Sequence, residues 1–255
     1  MQTPVDIQVS EGIVQITLNR PERRNALSFE MAHTVSETLD ELDARSDLQV
    51  AIITGAGGCF SSGMDIKDFA ESGRRPSLPG RGVLGLGEHS RRKPIIAAVE
   101  GLAFGGGWEV ALACDLVIAG ESARFALPEV KRGLVAGGGG LVRLAQRIPY
   151  ALAMEITLTG SPISAARCAQ LGLINRVVAD GSALESARLL AGEICENAPL
   201  AIQLSKNIVR AARTWTTNEV LAPQAGLLRL LEGSPDVQEG ARAFLEKRPP
   251  NWTGR

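Results

Sequence analysis

Two short apolar runs, each closed by a glycine, constrain the fold of this chain more than any other feature. Residues 50–53 (Val-Ala-Ile-Ile) and 94–99 (Pro-Ile-Ile-Ala-Ala-Val) carry no charge, which is typical of strands buried on both faces. A glycine-rich turn follows each run and leads into a helix-compatible segment, Met64 to Phe69 and Gly106 to Cys114 respectively. This repeated unit predicts an α/β fold, in which functional groups gather at the carboxyl ends of strands.

The N-terminal segments extend this pattern. Residues 5–9 and 13–18 alternate apolar and polar side chains around Ser-Glu-Gly, which predicts an opening β-hairpin. A helix is predicted to begin after Ser28, a residue type suited to an N-cap. Its apolar positions recur at steps of four, four and three and would form one stripe against a sheet: Met31, Val35, Leu39 and Leu42.

The rest of the chain becomes increasingly helical. The further predicted elements are a strand at 116–118, helices at 138–147 and 150–158, and a strand at 173–178. From Ser182 the pattern is helical almost to the end, with breaks at Pro199, Pro223 and Pro235. We therefore predict an α/β core over residues 1–196 and a C-terminal helical part over residues 197–255.

Residues 72–92 have a different composition, dominated by Gly, Pro, Ser and Arg without aromatics, and predict a mobile loop. Within this loop, Gly80 to Gly85 matches the G-x-G-x-x-G pattern of dinucleotide-binding turns. No strand pattern precedes the match and prolines lie just before it, so a dinucleotide site is not predicted.

Composition excludes several classes of function. The 27 basic and 28 acidic residues are interspersed, so nucleic acid is not an expected partner. No uncharged apolar stretch reaches the length of about 18 residues that spans a membrane, and we expect a cytoplasmic protein without a membrane partner. The four cysteines are scattered singly and only two histidines, His33 and His89, are present, which argues against a metal site or a Ser-His-Asp triad.

Candidate chemistry lies in the second glycine-rich turn. A helix that begins at Gly105 to Gly107 leaves its first N–H groups unpaired and directs its positive dipole end at the same place, which attracts an oxyanion. Glu109 follows Gly106 by three positions and would share its helix face, and Glu129 supplies a second carboxylate after Pro128. Acidic residues at helix starts also serve as ordinary caps, so these residues alone leave a structural role open.

The order of several motifs resembles the enoyl-CoA hydratase/isomerase superfamily, the crotonases. The matching segments run along nearly the whole chain: Asn19 to Leu27, Phe60 to Lys67, Gly101 to Asp115, Phe125 to Glu129, the glycine run from Gly137, Leu171 to Asn175, and Phe244 to Arg248. The resemblance implies a crotonase fold, a spiral of ββα units with a helical C-terminal part. It also implies an acyl-CoA substrate, no metal or redox cofactor, and a homotrimer or a hexamer built as a dimer of trimers.

The resemblance assigns roles to individual residues. The backbone N–H groups of Met64 and Gly106 match the oxyanion hole around a thioester carbonyl, and Glu109 and Glu129 match the two catalytic glutamates of the hydratases. The predicted substrate and coenzyme A contacts are Arg24, Ala26, Ser62, Met64, Asp65, Ile66, Lys67, Trp108, Gly137, Phe244 and Lys247. Further basic residues considered for phosphate contact are Arg74, Arg75, Arg91, Arg92 and Lys93.

The predicted activity is reversible hydration of a trans-2-enoyl-CoA to a 3-hydroxyacyl-CoA. Alternatives on the same fold are an enoyl-CoA isomerase or a carnitinyl-CoA dehydratase-like enzyme, and a non-catalytic acyl-CoA-binding protein is a further alternative. Trp108 and Met64 are bulkier than the residues that hydratases often carry, and Ala136 replaces a frequent proline. Trp108 is therefore expected either to wall the acyl channel or to pack in the core.

Overall fold

The buried apolar runs become the central strands of a six-stranded sheet. We describe the protein from a computed structural model that covers residues 3–87, 91–215 and 221–254. Its strands are β1 (Val5–Ser10), β2 (Ile13–Leu18), β3 (Val50–Gly55), β4 (Ser77–Leu78), β5 (Gly82–Val83), β6 (Ile95–Val99), β7 (Leu102–Phe104), β8 (Leu116–Gly120), β9 (Arg124–Ala126), β10 (Ile163–Ser164) and β11 (Arg176–Val178).

Helices alternate with these strands along much of the chain and cover both faces of the six-stranded sheet. They are α1 (Phe29–Ala44), α2 (Ile66–Ser72), α3 (Gly106–Ala113), α4 (Gly140–Arg147), α5 (Tyr150–Thr159), α6 (Ala165–Gln170), α7 (Ala183–Cys195), α8 (Pro199–Ala211), α9 (Leu221–Leu228) and α10 (Pro235–Glu246). Short 3-10 helices occupy Pro21–Arg23, Ala56–Gly58, Pro128–Arg132 and Ala212–Thr214.

The large sheet has the strand order β1-β2-β3-β6-β8-β11. The predicted hairpin is confirmed, because β1 pairs antiparallel with β2, while the remaining neighbours are parallel. Alternate side chains of β3 enter two different cores: Ala51 and Ile53 join the larger one, and Val50 and Ile52 the smaller one. The absence of charge in this run therefore reflects burial on both faces.

Each face of the sheet is closed by a helix whose sequence fits that face. The predicted stripe of α1 is buried completely, and the Ser28 hydroxyl accepts a hydrogen bond from the Met31 N–H as the expected N-cap. On the other face, α7 presents Ala183, Ala187 and Ala191, all fully buried, to the smaller core. Small side chains at a spacing of four let this helix approach the strands closely.

A second, three-stranded sheet was not predicted from the sequence. Its order is β10-β9-β7, with β7 parallel to β9 and β9 antiparallel to β10. The two parallel strands have three residues each, too short for a recognisable alternation. The Gly105 N–H donates to the Ala126 carbonyl at 2.8 Å, so this sheet places the turn before α3 beside the segment that carries Glu129.

Several predicted boundaries need correction. Helix α2 begins at Ile66 rather than Met64, because the Asp65 carboxylate caps it by accepting the Lys67 and Asp68 N–H groups. Strand β11 is limited to Arg176–Val178, and Leu173 precedes it as a buried residue outside the strand. Helix α4 begins at Gly140 rather than Gly138.

The expected loop at 72–92 also contains ordered packing. Within it, β4 and β5 form a small antiparallel hairpin, and Leu84 and Leu86 are buried in the larger core. His33 is exposed on α1, with its Nδ1 3.1 Å from the Glu37 carboxylate, whereas His89 lies outside the described residues.

Helices α7 and α8 lie on either side of residue 196, where the sequence predicts a division between two parts of the chain. Helix α7 packs on the large sheet, while α8 begins four residues after its end, at Pro199. The Lys206 ammonium ties α8 to the core by contacting the Lys93 carbonyl at 2.7 Å and the Asp115 carboxylate at 2.6 Å. Across the described ranges, no helix is long and apolar enough to span a membrane.

Two basic residues that were considered for phosphate contact are instead buried beneath α1. The Arg91 guanidinium pairs with the Asp40 carboxylate at 2.5 Å. The Lys93 ammonium donates to the carbonyls of Leu42 at 2.7 Å and Leu48 at 2.6 Å, and also to that of Arg45. These carbonyls lie at and beyond the C-terminal end of α1, where intrahelical partners run out, so Lys93 serves as an internal cap.

We expect Lys93→Met to destabilise the fold by at least about 1–3 kcal/mol, because several buried carbonyls lose their donor. Urea unfolding followed by circular dichroism measures this change in the free energy of unfolding. Lys67→Met is the control, since the Lys67 side chain is 70% exposed and its stability effect should stay within about 0.5 kcal/mol. Equal effects of the two substitutions would contradict the capping role.

Candidate active site

Two backbone N–H groups face the same space at the start of α3. Gly106 is the first residue of this helix, and a Cβ placed on it would lie 3.9 Å from the Met64 nitrogen. Met64 forms an isolated parallel β-bridge with Leu27. The Leu27 N–H donates to the Gly63 carbonyl, and the Asp65 N–H donates to the Leu27 carbonyl, so the residues on both sides of Met64 are fixed. Among the described residues, neither the Met64 nor the Gly106 N–H has an acceptor, so both can bind an oxyanion.

Glycine is required where these two segments meet. A Cβ on Gly63 would lie 2.8 Å from the Phe104 carbonyl oxygen and 3.4 Å from the Gly106 nitrogen. Gly63 and Gly105 also have positive φ angles of 96° and 53°, which glycine adopts without steric cost. The predicted pair of oxyanion-binding amides therefore depends on a close approach that the two glycine-rich turns allow.

Glu109 lies in the first turn of α3, with its side chain almost completely buried. Its Oε1 accepts hydrogen bonds from the N–H groups of Gly138 at 2.7 Å and Gly140 at 3.0 Å. Burial raises the pKa of this carboxyl, while the Gly140 and Gly138 amides and the Arg143 charge lower it and offset part of the rise. Within the described chain nothing donates to Oε2, which leaves this oxygen able to bind a water molecule.

Glu129 lies in the 3-10 helix Pro128–Arg132, and its Oε2 is buried without a hydrogen-bond partner in the described structure. A Cβ on Gly105 would lie 3.0 Å from Glu129 Oε1, so this carboxyl borders the turn that carries the oxyanion-binding amides. Burial raises the pKa of Glu129, and the nearby Glu109 charge raises it further. A buried carboxyl oxygen without a donor is better tolerated when the group is protonated.

The two glutamates thus have different environments within one coupled pair. Glu109 keeps two amide donors that favour its ionised form, whereas Glu129 has an orphaned oxygen that favours its protonated form. Such a pair can hold one base and one acid at neutral pH. With two amide donors beside it, the arrangement can move protons next to a carbonyl whose oxygen gains negative charge.

The residues around Met64 form the rim of this site. Arg24 and Ser62 are exposed and adjacent, since the Ser62 N–H donates to the Arg24 carbonyl at 2.9 Å. Ile66 and Lys67 are exposed on the first turn of α2. The structure therefore places these four predicted contacts at the surface beside the oxyanion-binding segment.

Two predicted contacts of the same segment are not available through their side chains. Ala26 is buried. The Asp65 carboxylate is fully engaged: Oδ1 caps α2, and Oδ2 pairs with Arg20 at 2.8 Å and Arg23 at 3.2 Å. The Asp65 N–H and carbonyl are also engaged, with the Leu27 carbonyl at 2.9 Å and the Phe69 N–H at 3.0 Å. The predicted substrate contact at Asp65 stays a prediction.

Trp108 is a core residue in this structure. Its side chain is 2% exposed and packs against Phe125, with ring centroids 5.9 Å apart and planes tilted by 55°. This is a favourable geometry for an aromatic pair. Of the two expectations for Trp108, the structure thus supports core packing, and its ring offers almost no surface to a ligand.

The remaining predicted contacts lie away from the core. Gly137 is exposed at the start of the glycine run. Phe244 is 84% exposed on α10, and Lys247 follows that helix as a left-handed C-cap. Within the part of the chain that the structure covers, the Phe244 and Lys247 side chains make no hydrogen bond or ion pair.

Three residues of the site were missed by the sequence reasoning: Gly138, Gly140 and Arg143. The Arg143 guanidinium donates to the Gly138 carbonyl at 2.9 Å and so holds the turn whose amides bind Glu109. The sequence offered one clue, a run of four glycines ahead of a helix, which exposes several unpaired N–H groups. It did not show which acceptor those groups would meet.

Comparison with known proteins finds relatives along almost the whole chain. A family model described as enoyl-CoA hydratase/isomerase matches residues 8–255. The enoyl-CoA hydratase EchA19 of Mycobacterium tuberculosis is 42% identical over 248 residues, covering 94% of this chain and 92% of that protein. A carnitinyl-CoA dehydratase of Salmonella typhimurium is also 42% identical, over 95% of each chain.

Similarity of structure is equally extensive. A crystal structure of an enoyl-CoA hydratase from Mycobacterium tuberculosis H37Rv matches with a TM-score of 0.96 and 45% identity, covering 100% of both chains. The chain therefore belongs to the enoyl-CoA hydratase/isomerase family. This membership confirms the predicted resemblance and the predicted crotonase fold.

The glycine run provides a sharp test of how Glu109 is held. A Cβ on Gly138 would lie 2.7 Å from Glu109 Oε2 and 2.6 Å from a Val83 methyl, so Gly138→Ala must displace the carboxyl. A displacement of about 1 Å can cost 100-fold in rate, and we expect kcat to fall by roughly that factor. Steady-state kinetics with crotonyl-CoA measures the change.

Gly137→Ala is the matched control, because the nearest atom to its added Cβ is the Val135 carbonyl oxygen at 3.9 Å. We expect this variant to keep nearly the parent kcat. A loss of activity in Gly137→Ala would instead support the predicted substrate contact at that residue. An unchanged kcat in Gly138→Ala would contradict the described position of the Glu109 carboxyl.

Proposed function

We propose that the protein is an enoyl-CoA hydratase that adds water reversibly across the 2,3 double bond of a trans-2-enoyl-CoA. The observation that carries the proposal is the pair of buried glutamates beside two unpaired amides. Relatives named enoyl-CoA hydratase, at 42% identity in sequence and a TM-score of 0.96 in structure, support hydro-lyase activity.

In the proposed mechanism, Met64 and Gly106 bind the thioester oxygen through their backbone N–H groups. Electron withdrawal at that oxygen makes C3 electrophilic, and each such donor is commonly worth about 3 kcal/mol in the transition state. Negative charge then collects on the oxygen as an enolate. Met64 and Gly106 are both half-buried, so protein of low dielectric surrounds part of the space at these amides and strengthens the interactions.

The two glutamates move the protons of the added water. Glu109, held through Oε1, orients the water with Oε2 and takes one proton as the oxygen–C3 bond forms. Glu129, in its neutral form, delivers a proton to C2 as the enolate collapses. The proton that Glu109 took then passes to Glu129, so one water is added to the double bond, both acids are restored, and the reverse sequence dehydrates the product. Because the two acids are coupled, their roles belong to the pair.

Three alternatives have less support. An isomerase needs proton transfer without water, and a carnitinyl-CoA dehydratase-like enzyme needs a polar acyl group. The Salmonella relative named carnitinyl-CoA dehydratase keeps the second alternative open as a choice of acyl group. A non-catalytic acyl-CoA-binding protein has no use for two buried glutamates with raised pKa values.

Coenzyme A is proposed to bind at the exposed rim of the site. Arg24 and Lys67 are exposed there and can meet phosphates, and the backbone of residues 64–67 can line the pantetheine arm. No further cofactor is needed, because amides and carboxyls supply the chemistry described above. The cytoplasmic location stays a prediction from the sequence.

We expect Glu109→Gln and Glu129→Gln each to reduce hydration of crotonyl-CoA by at least about 100-fold, since general acid–base groups are typically worth that much. Binding of an acyl-CoA product, measured by calorimetry, should survive in both variants. Exposed Glu155→Gln is the control and should keep parent activity. Near-parent turnover by either site variant would remove that glutamate from the mechanism.

The Glu129 variants also predict a pH-dependent stability. The folded-state pKa of Glu129 is raised, so ionisation of this group weakens the fold above that pKa, and the penalty vanishes below the unfolded value of about 4.3. Glu129→Gln should therefore melt at a higher temperature than the parent at pH 7. The difference should disappear near pH 4, and Glu155→Gln should show no such trend.

Assembly is proposed to follow the trimer, often paired into a hexamer, that the family resemblance implies. Helix α10 exposes two large apolar side chains, with Phe244 84% and Leu245 80% exposed, which fits a face covered by another subunit. We expect the parent to sediment as a trimer or hexamer at micromolar concentration, and a Phe244→Ser/Leu245→Ser variant to sediment as smaller species. The family resemblance also implies that Lys247 helps to bind coenzyme A across a subunit contact. A monomeric parent would contradict both this assembly and that role of Lys247.

A further inference from the structure

Arg143 connects three segments around the site, although its side chain does not face the substrate position. Its Nη1 donates to the Gly138 carbonyl at 2.9 Å. Its Nη2 donates to the carbonyls of Gly87 at 2.7 Å and Leu86 at 3.2 Å. A planar guanidinium suits this arrangement, because its donors project in fixed directions toward separate acceptors.

The hydrogen bond from Arg143 Nη1 fixes the glycine turn that binds Glu109. Residue 138 is held from both sides, since its N–H binds Glu109 Oε1 and its carbonyl accepts from Arg143. The next residue, Gly139, has a φ angle of 90°, and a Cβ there would lie 2.3 Å from Arg143 Nη1. The Arg143 guanidinium therefore contacts one side of the glycine turn, and the Glu109 carboxylate contacts the other side.

The hydrogen bonds from Arg143 Nη2 fix a segment that borders the site, at Leu86 and Gly87. Leu86 and Gly87 follow the strand that contains Val83, and Val83 methyls lie 2.6 Å and 4.0 Å from Cβ positions on Gly138 and Gly106. Val83 thus stands between the glycine turn and an oxyanion-binding residue. By binding the segment beyond it, Arg143 fixes the spacing between Glu109 and the oxyanion hole.

We propose that Arg143 is a positioning residue of the reaction, which holds the Glu109 carboxylate at the correct distance from the oxyanion hole. The proposal rests on the proposed hydratase function. Arg143 acts through the Gly138 carbonyl on the turn whose N–H groups bind Glu109.

Electrostatics supports the same role. Burial raises the pKa of Glu109, and the Arg143 charge is the nearby cation that lowers it. The other charged group facing Glu109 is Glu129, from the 3-10 helix. Arg143 in turn faces Arg210 on α8, Arg147 on its own helix and the Cys114 thiol. A guanidinium stays charged despite burial, so its effect on Glu109 is permanent.

Arg147 provides a matched control within the same helix. It lies one turn after Arg143, lines the same cleft of about 1130 Å³ between α4 and α8, and its pKa is likewise lowered by burial. Unlike Arg143, it makes no side-chain hydrogen bond within the described residues. Loss of Arg147 therefore removes a comparable buried charge without touching the glycine turn.

The experiment compares Arg143→Gln, Arg143→Lys and Arg147→Gln in the full-length protein with crotonyl-CoA. We expect Arg143→Gln to lower kcat by about 100-fold with little change in KM, because the base is misplaced rather than binding lost. The acidic limb of its kcat–pH profile should move to higher pH, since Glu109 loses a stabilising cation. Arg147→Gln should match the parent in both.

Arg143→Lys separates charge from geometry. It keeps the positive charge, so the acidic limb should stay close to that of the parent, whereas kcat should remain low because an ammonium cannot reproduce the planar fork. If Arg143→Gln does not fold, this variant alone carries the test. Millimolar guanidinium, entering through the cleft, should restore part of the activity of Arg143→Gln.

The outcomes also separate this proposal from the proposed function. Carbon-13 titration of the glutamate carboxyls, with Glu109 assigned through Glu109→Gln, reports the Glu109 pKa without any turnover. A higher Glu109 pKa in Arg143→Gln supports positioning even if the parent does not hydrate crotonyl-CoA, which would sink only the hydratase function. Parent-like kcat and Glu109 pKa in Arg143→Gln, or equal losses in Arg147→Gln, would overturn the proposal.

Discussion

The bond between the Glu109 carboxylate and the Gly138 and Gly140 amides is the interaction on which the site depends. A buried carboxylate is costly unless hydrogen bonds compensate it, and here the compensation comes from backbone rather than side chains. This choice requires glycines that permit close approach, delays the start of α4 to Gly140, and calls for Arg143 to hold the turn from behind. Helix α4, the glycine turn before it and the Glu109 carboxylate therefore form one structural unit.

The three-stranded sheet places the second glutamate, Glu129, beside this unit. Strands β7 and β9 place Gly105 against Ala126, which sets the Glu129 segment beside the oxyanion-binding amides. The large sheet supplies the rigid base from which these turns emerge, at the carboxyl ends of β3 and β6. Two glutamates with different surroundings therefore border one another: Glu109 accepts from two backbone amides, whereas Glu129 keeps a buried oxygen without a partner in the described structure.

Burial divides the basic residues into two groups that sequence alone did not separate. Arg91 and Lys93 lie beneath α1 and satisfy carboxylates and carbonyls of that helix, so they stabilise the fold. Arg24 and Lys67 instead remain exposed beside the segment that carries Met64. Trp108 is likewise separated from the surface by burial: although it lies between Gly107 and Glu109, its ring is buried in the core.

The sequence by itself determined the elements with local periodicity, namely the hairpin, α1 and the buried strands, and motif order identified Glu109, Glu129, Met64 and Gly106 as site candidates. Tertiary structure alone decided the second sheet, the capping by Lys93 and the partners of Glu109. Gly138 lies 29 positions after Glu109, and Arg143 reaches back 56 positions to Gly87. Such contacts join segments that carry no local pattern for each other, so only the packed chain reveals which N–H group meets which acceptor.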